Sequence, residues 1–148
     1  MLDFGRWLQT RPVQSLKLTG YNWDLREIMF LDLILACQTL IVLNLNYCPI
    51  PSDFTLGAIP SSTTHLALSC CQLTALFMVA LVNVLKLSNV SHLAIQGYDD
   101  HDDAHLEAFL GALPDTRVTH LDVSRFHPFV SDLGFAIGFH SSWTLAII

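Results

Sequence analysis

The chain has 148 residues, of which 52% are apolar and only 14% charged, with 7 basic against 13 acidic side chains and a formal net charge of −6. This length supports one domain with a sizeable core, and so apolar a composition excludes a disordered tail. The acidic balance argues against nucleic acid and anionic membranes as partners, because both are engaged first through clustered Lys and Arg.

In chain order, the segment Met1 to Trp7 carries an acid at position three and no apolar stretch of the secretory kind. No signal peptide is expected there, and the chain is read as cytoplasmic, with a nuclear location left open. Phe4, Trp7 and Leu8 suggest a partial helix. Val13-Gln-Ser-Leu16-Lys-Leu18 then alternates inward aliphatic with outward variable residues, the period-two pattern of a short strand. Asp24-Leu-Arg-Glu27 has the form of a capping box and predicts a helix carrying Ile28, Met29, Leu31 and Leu35. The window from Ile28 to Leu45 is the most membrane-like, yet Asp32, Gln38, Thr39 and Asn44 interrupt it. A membrane span needs about 20 predominantly apolar residues.

Leu40-Ile-Val-Leu43-Asn-Leu45 repeats the strand pattern. It returns at Thr63-Thr-His-Leu66-Ala-Leu68, Val90-Ser-His-Leu93-Ala-Ile95, Val118-Thr-His-Leu121-Asp-Val123 and Ser142-Trp-Thr-Leu145-Ala-Ile147. The central leucines are 27, 23, 27, 28 and 24 residues apart. After Cys48, the residues Pro49, Pro51, Gly57 and Pro60 leave room for only a turn or two of helix, in the shortest interval. Thr74 predicts a helix start ahead of the run Ala75 to Leu87. Asp102 or Asp103 does so ahead of Leu106 to Leu113, and Ser131 ahead of Leu133 to Ile137.

On these segments the chain resembles leucine-rich-repeat proteins, whose unit is L-x-x-L-x-L-x-x-N/C-x-L over 20–29 residues. Leu43-Asn-Leu45-Asn-Tyr-Cys48-Pro-Ile50 and Leu66-Ala-Leu68-Ser-Cys-Cys71-Gln-Leu73 match it through the final aliphatic position. Elsewhere the Asn/Cys column holds Tyr21, Tyr98 and Phe126. Helices between the strands make the chain similar to the ribonuclease-inhibitor-like or cysteine-containing types. The resemblance implies an α/β leucine-rich-repeat solenoid of about five to six repeats, with a short parallel inner sheet and outer helices. It covers residues 1–148 as a single domain.

Cys48 and Cys71 are expected at equivalent turns as packed thiols, and none of the four cysteines has disulfide or zinc spacing. Asn89-Val90-Ser91 is a glycosylation sequon that matters only in a secreted chain. The apolar edge Trp143 to Ile148 is expected to be covered by further repeats, by a partner or by self-association. On that reading the chain is a fragment of a longer array or is capped by another molecule.

Residues between and beside the inward leucines point to the opposite sheet face. The binding surface expected there comprises Lys17, Asn44, Asn46, His65, Ser69, His92, Gln96, His120, Asp122 and Ser124. His65, His92 and His120 fall in one column, spanning roughly 10 Å at ~4.8 Å per strand. Repeat duplication alone accounts for such a ladder. A partner contact weakened below pH ~6.5 is the functional alternative. Metal binding is disfavoured because a straight ladder does not converge as tetrahedral ligands must. Asp99-Asp100-His101-Asp102-Asp103-Ala104-His105 reads as acids at the positive end of a helix, with a weak cation or partner loop as the alternative.

No G-x-S-x-G, H-E-x-x-H, G-x-G-x-x-G or G-x-x-x-x-G-K motif is present. His120, Asp122 and Ser124 on one strand face stand ~6.8 Å apart, too far for a hydrogen-bonded triad. Gly134 and Gly138 suggest close packing. The expected function is therefore non-catalytic, without metal or cofactor: a protein–protein interaction scaffold or recognition domain that binds a polypeptide on its concave face. One alternative is a metal- or pH-responsive regulator built on the ladder. Others are a piece of a larger leucine-rich-repeat receptor or ubiquitin-ligase substrate-recognition protein, and a degenerate fragment without independent function.

Overall fold

The computed structural model describes residues 6–8, 10–22, 28–52, 54–97, 103–123 and 144–146. Among them the order is β1 Ser15–Thr19, α1 Ile28–Leu35, β2 Val42–Asn46, β3 His65–Ser69, α2 Ala75–Leu87, β4 His92–Gln96, α3 Asp103–Ala112, β5 His120–Asp122 and β6 Thr144–Ala146. The architecture is α/β, with the six strands forming one parallel sheet in chain order. Each strand overlaps one of the sequence segments that carry the Leu-x-aliphatic pattern, and the first four run one residue past it.

Register follows from that pattern. Leu16, Leu43, Leu66, Leu93, Leu121 and Leu145 pair in one row, and Leu18, Leu45, Leu68 and Ile95 in a second. A slip of one residue would turn every aliphatic to the wrong face, so burial of these rows fixes the pairing. Just ahead of the strands, Val13, Leu40, Thr63, Val90 and Val118 are buried as well. Thr63 is the polar member of that row, and its hydroxyl donates to the Leu40 carbonyl at 2.8 Å. A buried hydroxyl without such a partner would carry a desolvation penalty.

At the exit of the first four strands the chain takes the left-handed conformation: Gly20 (φ 67), Tyr47 (φ 51), Cys70 (φ 53) and Gly97 (φ 63). The N–H of Gly20 donates to the Asn46 carbonyl, that of Tyr47 to Ser69, and that of Cys70 to Gln96, at 2.7–2.8 Å. One turn geometry is thus passed from strand to strand. Glycine adopts it freely, whereas at Tyr47 and Cys70 the neighbouring strand holds a side-chain-bearing residue there.

Helix α2 starts where Thr74 predicts. Thr74 is extended (φ −84, ψ 159) and its hydroxyl accepts from the Phe77 N–H at 3.2 Å. Phe77, Met78, Leu81, Val82 and Leu85 recur at helical spacing and are buried. They meet the strand leucines together with Leu31 and Ile34 of α1 and Phe109 and Leu110 of α3 in one core. The helices cover the leucine face of the sheet and leave the other face open. No helix among the described residues is long and apolar enough to cross a membrane.

One expectation is corrected. Between β2 and β3 no turn of helix forms among the described residues. Pro51 and Pro60 instead open tight turns closed by Phe54 N–H to Pro51 O at 3.0 Å and Thr63 N–H to Pro60 O at 2.9 Å. Pro49, Pro51 and Pro60 supply no N–H, and Phe54, Leu56 and Ile59 fill the core from an extended path. Helix α3 begins at Asp103, one of the two starts expected. The box at 24–27, the acids at 99–102, Phe4, Ser131, Gly134 and Gly138 lie outside the described residues, as does the edge at 143–148 apart from β6.

Cys48 and Cys71 are buried at equivalent turns. The Cys48 thiol faces the Asn46 carbonyl at 3.4 Å, and the Cys71 thiol faces Leu45 at 3.3 Å and Ser69 at 3.4 Å. Burial pushes the Cys71 thiol up to about 11, which keeps it protonated and unreactive. The sequon residue Asn89 is structural here: its amide donates to the Ser61 carbonyl at 2.6 Å and its carbonyl accepts from Arg117.

Candidate functional site

Three columns run across the open face, each built by strand register. The first is Ser15, Val42, His65, His92 and His120; the second is Lys17, Asn44, Ala67, Ala94 and Asp122. Thr19, Asn46, Ser69 and Gln96 make the third. The structure thus places Lys17, Asn44, Asn46, His65, Ser69, His92, Gln96, His120 and Asp122 on one face. Ser124, also expected there, lies outside the described residues.

The histidines form a stack. Ring centroids are 4.1 Å apart from His65 to His92 and again from His92 to His120, with interplanar angles of 13° and 9°. This is tighter than the ~4.8 Å strand spacing behind the expected span, so the side chains converge across the face. Each ring is also tied by the hydroxyl that precedes it. Nδ1 of His65 lies 2.8 Å from Thr64 Oγ1, and the matching distances are 2.9 Å for Ser91–His92 and 2.9 Å for Thr119–His120. The Ser91 and Thr119 hydroxyls also donate to the Thr64 and Ser91 carbonyls, at 3.4 and 3.3 Å. With its single proton on the carbonyl, a hydroxyl accepts from Nδ1–H, which leaves Nε2 as an acceptor.

His92, flanked on both sides, is held below the ordinary imidazole value by partial burial and then by the charges of His65 and His120. Rings stacked face to face direct their nitrogens in parallel. Among the described residues no group of three or more His, Cys, Asp or Glu side chains is arranged to hold a metal ion.

Opposite the stack, Ser69 Oγ donates to Gln96 Oε1 at 3.1 Å, and Gln96 Nε2 donates to Asp122 Oδ2 at 2.6 Å. Beside the stack lies a groove of about 310 Å³, lined by Ala67 and Ala94 together with Val42, Asn44, the three histidines and Asp122. Lys17 stands on the same face beyond its end. Ala67 and Ala94 fall where the strand alternation puts the concave face, whereas the hydroxyl ties were not foreseen. The signal for the latter was the Thr/Ser-His dipeptide, which occurs at all three strands. The surface offers shape, methyl groups and hydrogen-bonding atoms.

No family model matches the chain, and neither a curated protein nor a solved structure shows a significant match to it.

Proposed function

We propose that this chain is a leucine-rich-repeat solenoid that binds a polypeptide on the concave face of its sheet and performs no chemistry there. The observation that carries the reading is the open groove lined by Ala67 and Ala94, built by strands that pair in register at intervals of 23 to 28 residues. Parallel strands in chain order, each returning across the leucine face, are what stacked repeats of this family produce. Such faces recognise partners through distributed polar contacts and shape. The resemblance extends the reading to an intracellular recognition domain within a larger receptor or ubiquitin-ligase assembly.

The 4.1 Å stacking favours a second reading on the same site, in which acid weakens binding as adjacent imidazoles charge together. A photo-crosslinking residue tests the main reading when placed at Ala94 in the groove and, as a control, at Ala108 on α3. A defined protein adduct from position 94 alone is the expected result. Equal labelling from both positions, or adducts from 108 only, would refute a concave-face partner.

A further inference from the structure

Helix α2 is apolar all round, although one side of it faces away from the sheet. Its buried side is Phe77, Met78, Leu81, Val82 and Leu85. At about 100° per residue, Leu76, Ala80, Asn83 and Leu87 fall within about 60° of one another on the opposite side. Leu76 is 77% exposed and Leu87 93%, with Val79 beside them at 57%. A surface helix ordinarily places charge there, and a contiguous apolar strip marks an interaction site. The one charged residue of α2 is Lys86, which is committed to Asp115 at 3.2 Å. Along one flank of the strip, Ala80, Val84 and Leu87 join Leu56 and Ile59 of the return between β2 and β3 to line a cleft of about 370 Å³.

We propose that a second copy of this chain covers the strip, with the two α2 helices packed antiparallel about a two-fold axis at the level of Leu81 and Val82. Symmetry is the first reason. From Leu76 the strip steps by 4, 3 and 4 residues to Leu87, a spacing that reads the same from either end. Reversal therefore sets Leu76 of each copy against Leu87 of the other, and Ala80 against Asn83. A contact between identical surfaces has to be self-complementary in this way. The same axis brings the two clefts onto one side, where each can take in a leucine of the other copy. Steps of 4 and 3 are also those of a helix-to-helix seam. Asn83 stands about 4.5 Å along the axis from its symmetry mate, close enough for the two amides to meet, and a polar residue in an apolar seam fixes register. Charge is the second reason. At a net charge of −6 two copies repel in general, but the outer side of α2 has no acidic residue to add to that repulsion. The strip is about 16 Å long, which puts the contact at the small end of specific interfaces, so the dimer should dissociate on dilution. It lies behind the sheet and leaves the open face free.

The test is sedimentation velocity of the full chain from micromolar to several hundred micromolar, where a monomer–dimer equilibrium is expected. Leu87→Lys changes a side chain outside the core, so the circular dichroism spectrum should be unchanged. It should weaken the dimer about a hundredfold or more, because it enters a two-fold contact twice. Leu76→Cys chains mixed with Leu87→Cys chains should form a covalent dimer under mild oxidation, and neither variant should do so alone. Like positions lie about 16 Å apart in this pairing, whereas a disulfide joins Cα atoms at most about 7 Å apart. The unmodified chain, oxidised in parallel, controls for the native cysteines. A dimer unmoved by Leu87→Lys, or one variant crosslinking to itself as readily as to the other, would overturn the pairing. A monomer at every concentration would overturn it as well and leave the strip to a helix of another protein.

Discussion

Gly97→Ala should destabilise the fold through two costs that can be separated. Gly97 follows β4 at φ +63, and a Cβ placed on it would lie 2.7 Å from Cys70 Sγ and 3.7 Å from Cys70 Cα. A side-chain-bearing residue in the left-handed region costs about 1–2 kcal/mol. Displacing the sulfur from its rotamer to relieve the contact costs about 0.5–1.5 kcal/mol more. The expected loss is therefore about 1.5–3.5 kcal/mol. Cys70→Ala removes Sγ but leaves the backbone cost at position 97, so in that background the same substitution should cost only about 1–2 kcal/mol. Urea unfolding followed by circular dichroism on the four proteins of this cycle measures the difference, provided the m-values agree. Equal cost with and without the sulfur would refute the contact between neighbouring turns. A cost below about 0.5 kcal/mol in both backgrounds would refute the left-handed turn itself.

Three further outcomes are expected. Neutral His92 contributes stability that is fully present above the ordinary unfolded value of 6.5 and is lost as pH falls through its lowered folded pKa. His92→Gln should accordingly flatten the acid side of a melting-temperature profile between pH 8 and pH 5, and an unchanged slope would contradict the stack's effect. Cys71, with its thiol near 11, should resist iodoacetamide at pH 8 in the native protein and react once urea unfolds it, as read by peptide mass spectrometry. Native labelling at Cys71 would show the site to be open. Thr63→Val should cost only about 0.5–1.5 kcal/mol, because Ser62 Oγ also donates to the Leu40 carbonyl at 2.8 Å. Combined with Ser62→Ala the loss should exceed the sum of the two, since the carbonyl then loses both side-chain donors. Strict additivity in chemical denaturation would count against that shared acceptor.

The strands were legible because a buried aliphatic at every second position is a strong local signal, and Leu16, Leu43, Leu66, Leu93 and Leu121 repeat it. Once those rows align, the columns follow without further information, which is why His65, His92 and His120 could be placed together. Thr74 announced α2 by its own hydroxyl chemistry. The Ser69–Gln96–Asp122 hydrogen bonds were less accessible, since each joins residues 26 or 27 positions apart and depends on rotamers as well as register. The left-handed turns were half visible: Gly20 and Gly97 advertise the conformation, while Tyr47 and Cys70 adopt it under pressure from the next strand. The return between β2 and β3 was misjudged toward helix. Its three prolines cap what the backbone can donate, and Phe54, Leu56 and Ile59 satisfy the core without helical periodicity.

The constancy of the strand-exit turn has a consequence for how this molecule tolerates change. Strand alignment is the same whether the chain comes back through the thirteen residues of α2 or through the extended, proline-marked path after Cys48. The sheet is thus blind to its own wiring. Length changes around the exposed Gly57 and Ala58 should be absorbed behind the sheet, with every column on the open face kept in line. A lineage, or an engineer, could lengthen that loop to carry a reporter or a second binding element and leave the groove's geometry as it was.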